Sequence, residues 1–240
     1  TLSISNDGLT VNLDEDFPRV ANYELNGKTM NGSELRYNYV TINSVNMPAT
    51  AEITDQSADS VTYHVTPDPE KSKVTFDVVF NVKEDQIVEM FIKNIQEPEG
   101  ELVNSIGLPK QPLISANSAQ AGAKLDASWV SKPVNGWGIK DIHETIADKD
   151  ISTTAPFPVA IPIITTDELS ASMFNNVYLD GDEFVYRAFN LPNGEVTAGF
   201  WNNEFMYRGL DEEKILPFAS EPEEENLYCQ IILTEDTNAD

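Results

Sequence analysis

From Val74 to Val82 the chain reads VTFDVVFNV, with an apolar residue at every second position. Successive side chains of a β-strand point to opposite faces, so this alternation predicts a strand with a buried face. Comparable runs lie at Leu9–Leu13, Arg19–Leu25, Val61–Thr66, Ile87–Ile95, Phe184–Phe189 and Val196–Trp201. No heptad pattern and no sustained 3.6-residue stripe accompanies them. The sequence therefore predicts an all-β fold.

Turn signals separate these runs and set the number of strands. Asn26-Gly27, Asn193-Gly194 and Asp180-Gly181-Asp182 favour tight turns between antiparallel strands. Counting the runs between such signals predicts roughly 14 to 18 strands, more than an immunoglobulin-like domain of about 100 residues contains. We expect a single large antiparallel β-sandwich over residues 1–240. Stretches that are apolar on both faces, such as Ile87–Ile92, are expected in the middle of packed sheets.

The segment Ser115–Pro158 carries few strand signals. It contains Trp129, Trp137 and several isoleucines, which is too apolar a composition for a free linker. We expect a long ordered loop packed on the sandwich. Loops of this length on rigid β scaffolds are frequently functional.

The charge of the chain excludes two classes of partner. The 240 residues include 40 acidic and 15 basic ones, for a formal net charge of −25. Proteins that bind nucleic acid or anionic membranes need clustered Lys and Arg, and here these residues are sparse and scattered. No apolar run reaches the roughly 18 residues that a membrane span needs. We therefore expect neither nucleic acid nor a membrane as a partner.

Only one cysteine is present, so no intramolecular disulfide can form. Cys229 lies in a strand-like run on the same face as Leu227, Ile231 and Leu233. This position predicts a buried, unreactive thiol. Scarcity of cysteine is compatible with an exported bacterial protein.

The two histidines raise the alternative of an aldose 1-epimerase, which would use two histidines and a carboxylate. His64 lies among threonines on the outward face of a predicted strand, and the surroundings of His143 do not resemble those of such a site. Surface or structural roles are the better interpretation. Among 40 acidic residues, carboxylate pairs at glycosidase spacing arise by chance. We therefore assign no catalytic residue.

Tryptophans are the best candidates for contact with carbohydrate, because the apolar face of a pyranose ring stacks on an indole. Trp137 lies in the glycine-flanked sequence Asn135-Gly136-Trp137-Gly138, and Trp129 lies nearby along the chain. Packing in a core or a domain interface is the competing explanation for both. We name Trp137 and Trp129 as the predicted carbohydrate-binding residues.

The last residues resemble the beginning of a calcium loop. Asp236, Asn238 and Asp240 match positions 1, 3 and 5 of the pattern D-x-[DN]-x-[DN]. The glycine and the bidentate acid of the complete pattern would come after Asp240, and three oxygen ligands hold Ca²⁺ poorly. We expect no cofactor in this chain, and a calcium site in a longer parent protein.

Three segments carry a family resemblance. The run Asp16–Thr29, which reads DFPRVANYELNGKT, resembles the start of the β-supersandwich domain in bacterial endo-α-N-acetylgalactosaminidases of glycoside hydrolase family 101. Pro162–Ala171 (PIITTDELSA) is similar to that domain's later strands. Leu233–Asp240 (LTEDTNAD) is similar to the segment that leads into the family's catalytic barrel.

The resemblance implies a galactose-mutarotase-like supersandwich, ending before a catalytic (β/α)₈ barrel that would hold the nucleophile and the acid/base residue. The family releases Galβ1-3GalNAc from mucin-type glycoproteins, outside the cell or at the cell wall. We therefore expect a non-catalytic accessory domain that packs on the barrel of the same polypeptide and contacts O-glycan. The alternatives are an autonomous carbohydrate-binding module, an adhesin-type structural domain and the aldose epimerase.

Overall fold

The structure is a computed structural model that describes residues 2–117, 120, 122–131, 138–145, 159–175, 187–191, 195–200, 204–208 and 227–237. Within these ranges there are 19 β-strands, a short 3-10 turn at Glu84–Gln86 and no α-helix. The strands are β1 (Leu2–Asn6), β2 (Leu9–Leu13), β3 (Val20–Leu25), β4 (Lys28–Asn31), β5 (Tyr39–Ile42), β6 (Val45–Gln56), β7 (Ser60–Pro67), β8 (Thr75–Lys83), β9 (Ile87–Gln96), β10 (Ser105–Gly107), β11 (Gln111–Asn117), β12 (Lys124–Ser131), β13 (Gly138–Thr145), β14 (Val159–Thr165), β15 (Ser170–Asn175), β16 (Arg187–Leu191), β17 (Glu195–Phe200), β18 (Glu204–Met206) and β19 (Tyr228–Thr234). The all-β prediction is confirmed, although the predicted strand count is too low.

The strands form two large antiparallel sheets. The seven-stranded sheet has the order β1-β2-β3-β4-β11-β17-β16. The twelve-stranded sheet has the order β13-β12-β14-β15-β19-β9-β8-β7-β6-β5-β10-β18. Neighbours such as β9 and β19 are far apart in sequence, so much of the larger sheet depends on long-range pairing.

Both sheets contribute to one hydrophobic core. Ile4, Val11 and Tyr23 of the smaller sheet belong to the same buried cluster as Phe76 and Phe80 of the larger one. The alternation in β8 is the cause, because Phe76, Val78, Phe80 and Val82 all point into this core. Fully burying an apolar side chain of this size contributes about 1.5–3 kcal/mol, so each of these four residues stabilises the sandwich by an amount of that order.

Of two expectations about individual segments, one is wrong and one is confirmed. The segment Ser115–Pro158 is not a single long loop, because it holds the end of β11 and the β12–β13 hairpin. β13 is the outermost strand at one edge of the larger sheet, and β12 lies next to it. Pairing at an edge does not require the strict apolar alternation of a central strand. Ile87–Ile92 does lie in the middle of the larger sheet, as expected, because its strand β9 is paired with β19 on one side and β8 on the other. Val88, Met90 and Ile92 are buried, whereas Ile87 and Phe91 on the opposite face are only half-buried.

A buried arginine stabilises the loop between β2 and β3. The Arg19 side chain is 2% exposed and donates a hydrogen bond to Asp14 at 2.7 Å. A second guanidinium nitrogen donates to the side-chain oxygen of Asn38 at 2.5 Å, and the guanidinium lies over the Phe17 ring, 5.3 Å from its centroid. Arg19, which ends the run DFPR of the family resemblance, thus has a structural role here, because its buried guanidinium holds Asp14 and Asn38 together.

Candidate functional site

The residues predicted to bind carbohydrate or calcium lie mostly outside the described part of the chain. Trp137, Asn238 and Asp240 fall outside it. The backbone of Trp129 lies in β12, paired with Lys140 of β13 and Ala160 of β14, but its side chain is not described. Asp236 is exposed at the end of β19, where its backbone nitrogen donates to the Thr234 hydroxyl at 3.1 Å. Both site predictions therefore stay predictions.

His64 forms a pair with a carboxylate of the neighbouring strand. Its Nδ1 lies 2.8 Å from Asp77 Oδ1, and the other oxygen of Asp77 accepts a hydrogen bond from Asn94 at 3.1 Å. Asp77 is 9% exposed, and strand register places it directly opposite His64. This arrangement satisfies a nearly buried carboxylate, so a structural role accounts for His64. The side chain of His143 is not described.

A polar row crosses the middle strands of the twelve-stranded sheet on the face opposite the core. Asn81 of β8 pairs with Glu89 of β9, which pairs with Gln230 of β19. Residues directly opposite one another in an antiparallel sheet share a face, so these three side chains lie side by side. We call this surface the outer face of the larger sheet.

Aromatic side chains form the next row of the outer face. Phe91 and Tyr228 are cross-strand partners, with ring centroids 6.4 Å apart and ring planes inclined by 24°. The Tyr228 hydroxyl donates to the Glu89 carboxylate and accepts a hydrogen bond from Gln230 at 2.6 Å. Burial, reinforced by the hydrogen bond to Glu89, raises the pKa of Tyr228 to about 12. The phenol is neutral at physiological pH, and its two hydrogen bonds connect the aromatic row to Glu89 and Gln230 of the polar row.

A cleft of about 710 Å³ opens where the outer face meets the β8–β9 turn. Four carboxylates line it: Asp59, Glu84, Asp85 and Glu89. Three side-chain amides line it as well: Asn6, Asn81 and Gln230. Lys83 is the cation in this lining, and its Nζ lies 3.5 Å from Glu89.

Two neighbouring turns brace the wall of the cleft. Asp85, which adopts a φ of 64°, donates its backbone N–H to the Asp7 carboxylate at 3.0 Å. The amide nitrogen of Asn6 donates to the Val82 carbonyl at 3.2 Å, and Val82 N–H donates to the Asp59 carbonyl at 2.8 Å. The β1–β2 and β6–β7 turns are therefore tied to the end of β8.

The chemistry of this site is that of hydrogen bonding to a polar ligand. Amides both donate and accept hydrogen bonds, and carboxylates accept them, which matches the needs of a polyhydroxylated ligand. Across the part of the chain that the structure describes, no group of three or more His, Cys, Asp or Glu side chains is arranged to hold a metal ion. In the same part, no helix is long and apolar enough to cross a membrane.

Sequence reasoning missed this site. Glu89 and Gln230 are 141 positions apart in the sequence, and the polar residues of β8 and β9 look like the ordinary solvent face of two strands. Polar residues at outward positions of central strands are the only signal that the sequence offered.

Comparison with known proteins assigns the chain to a family. A model of the galactose mutarotase-like fold domain matches residues 4–240. The chain belongs to this family. A Renibacterium salmoninarum protein named as a candidate endo-alpha-N-acetylgalactosaminidase is 26% identical over 267 aligned positions, covering 100% of this domain and 16% of the relative.

A solved structure supports the fold. A quadruple mutant of the alpha-N-acetylgalactosaminidase NagBb from Bifidobacterium bifidum matches with a TM-score of 0.55 at 10% identity. That match covers 99% of this domain and 37% of the NagBb chain. A C. elegans GalM/aldose epimerase homologue gives a TM-score of 0.48 at 8% identity over 98% of each chain, which is too low to support an argument.

Proposed function

We propose that this chain is a non-catalytic accessory domain of a longer glycoside hydrolase that removes Galβ1-3GalNAc from mucin-type glycoproteins. The observation that carries the proposal is the alignment with the Renibacterium salmoninarum relative, which extends along the whole chain yet spans only 16% of the relative's length. Because the aligned region is so small a share of the relative, we infer that glycoside hydrolysis is performed by another part of the longer polypeptide. The domain would pack against the catalytic barrel and help to shape its glycan cleft.

Two subsidiary proposals accompany this role. Because mucin-type glycoproteins are presented outside cells, the longer enzyme would be secreted or attached to the cell wall. In that enzyme, Asp236, Asn238 and Asp240 would supply the first ligands of a calcium loop, which later residues would complete.

The test is hydrolysis of p-nitrophenyl Galβ1-3GalNAcα by three proteins: this chain alone, the longer polypeptide that contains it, and that polypeptide lacking residues 1–240. We expect release by the longer polypeptide, no release by the chain alone, and a lower kcat/KM or melting temperature after the deletion. Hydrolysis by the chain alone would overturn the proposal. So would a longer polypeptide without this activity.

An aldose epimerase is distinguished by a separate measurement. Mutarotation of α-galactose, followed by polarimetry, is expected to proceed at the uncatalysed rate in the presence of this chain. Acceleration that is lost in a His143→Ala variant would support the epimerase instead.

A further inference from the structure

The cleft beside the β8–β9 turn has the size and the chemistry of a small-molecule site. Its volume of about 710 Å³ falls within the range of roughly 300–1,000 Å³ that is usual for such sites. Polar groups come from five segments of the chain, represented by Asn6, Asp59, Asn81, Glu89 and Gln230. Convergence of that many segments is a property of a concave site and not of one exposed loop.

The amide side chains in the cleft are held in place while part of each stays available. The oxygen of Asn81 accepts a hydrogen bond from Ser60 at 2.5 Å, and the nitrogen of Gln230 donates to the Tyr228 hydroxyl at 2.6 Å. Among the described residues, neither the Asn81 nitrogen nor the Gln230 oxygen has a partner. A ligand would therefore meet one donor and one acceptor whose orientation is already fixed, which lowers the entropic cost of binding.

The charge of the cleft selects against anions. Glu84 and Asp85 are exposed at its rim, and Asp59 and Glu89 add two more carboxylates. The cation of the lining, Lys83, already lies against Glu89. An anionic ligand would approach several like charges with no unpaired cation among the lining residues to compensate for them.

An aromatic surface adjoins the cleft. Phe91 and Tyr228 occupy the row beside Glu89 and Gln230, and both rings are half-buried on the outer face. A pyranose presents hydroxyl groups at its edges and C–H groups on its faces, so it suits a site where amides and carboxylates border an aromatic ring.

We propose that this cleft binds a neutral saccharide and discriminates against sugars that carry a carboxylate, such as sialylated glycans. The inference deepens the proposed function and rests on it, since it assigns the glycan contact of the accessory domain to the cleft lined by Asn81, Glu89 and Gln230. The tryptophans of the sequence prediction are not required for it.

The experiment is isothermal titration of the 240-residue chain with methyl Galβ1-3GalNAcα and with its sialylated counterpart. We expect binding of the neutral disaccharide and at least fivefold weaker binding of the sialylated one. The Gln230→Ala variant should bind the neutral disaccharide about fivefold more weakly, the size expected for one lost hydrogen bond. Gln56→Ala, an exposed glutamine of β6 that lies outside the cleft, is the matched control and should bind as the unmodified chain does.

A charge-reversal variant tests whether the acidic rim of the cleft causes the weaker binding of the sialylated disaccharide. Glu84→Lys should strengthen binding of the sialylated disaccharide by about two- to fivefold, because it places a cation at the rim. Glu34→Lys makes the same change in net charge at an exposed position outside the cleft and should have no such effect. Melting temperatures of all variants establish that they are folded.

Three results would overturn the inference: no binding of the neutral disaccharide, equal binding of both sugars, or equal effects of Glu84→Lys and Glu34→Lys. None of these readouts depends on hydrolysis. If the chain gives any of these three results while the longer polypeptide still hydrolyses its substrate, the cleft assignment is refuted and the proposed function stands.

Discussion

Arg19 and Cys229 are both buried, and burial has a different consequence for each of them. Arg19 carries a charge into the interior, where the Asp14 carboxylate pairs with it and the Asn38 side-chain oxygen accepts a hydrogen bond from it. Cys229 is 0% exposed, in line with its alternation beside Ile231 and Leu233, and its burial is as predicted from the sequence. The Arg19–Asp14 pair was not foreseen, because nothing in DFPR distinguishes a buried arginine from an exposed one.

Removing the buried arginine should destabilise the protein far more than removing an exposed one that faces the same carboxylate. Arg19→Gln should lower the free energy of unfolding by about 3–5 kcal/mol, because one partner of a buried pair is lost. Arg36 is 72% exposed and lies 3.9 Å from Asp14, so Arg36→Gln should cost less than about 1 kcal/mol. Urea titrations followed by circular dichroism measure both values. Equal losses would show that Arg19 is not effectively buried.

Cys229 should make folding sensitive to alkaline pH. Burial raises the pKa of this thiol well above its usual value of 9.0, so the folded state retains the proton while the unfolded state loses it. Its contribution to stability is complete below about pH 9 and declines above that value, by about 1.4 kcal/mol per pH unit. Comparing unfolding free energies of Cys229→Ala and the unmodified chain at pH 8, 9 and 10 should show a shallower decline in the variant. A native thiol that reacts rapidly with Ellman's reagent would contradict the burial.

At the scale of strands, central and edge elements were predictable to different degrees. The alternation of Val74–Val82 correctly predicts β8, because a central strand with one face in the core must carry an apolar residue at every second position. Strand β13 reads GIKDIHET and lies at the edge of the sheet, where pairing with β12 alone suffices. The polar row of Asn81, Glu89 and Gln230 depends on the pairing of β9 with β19, which no local pattern reveals.

Strand β17 depends on a glycine for its close approach to β11. A Cβ atom on Gly199 would lie 2.3 Å from the Gln111 carbonyl oxygen and 2.6 Å from the Leu113 nitrogen, opposite the irregularity in β11. Since both neighbours are backbone atoms, they cannot move aside without disturbing the sheet. Gly199→Ala should therefore lower the free energy of unfolding by about 1–3 kcal/mol. An unchanged urea midpoint would show that β11 and β17 are further apart than described.

At the scale of the whole molecule, the fold class was predictable and the domain boundary remains a prediction. Period-two patterning occurs in both halves of the chain, and the two sheets that result contribute side chains to one buried cluster. The long-range pairs β9–β19 and β10–β18 tie the last part of the chain to its middle. A sandwich built in this way should lose its structure as a unit.

Differential scanning calorimetry of the 240-residue chain tests this shared interior most directly. If both sheets close over one core, a single transition is expected, with a calorimetric enthalpy equal to the van't Hoff enthalpy. The Arg19→Gln and Gly199→Ala variants, which alter the loop before β3 and the β11–β17 pair, should both shift that same transition to lower temperature. Two separable transitions, only one of which moves in each variant, would contradict the account.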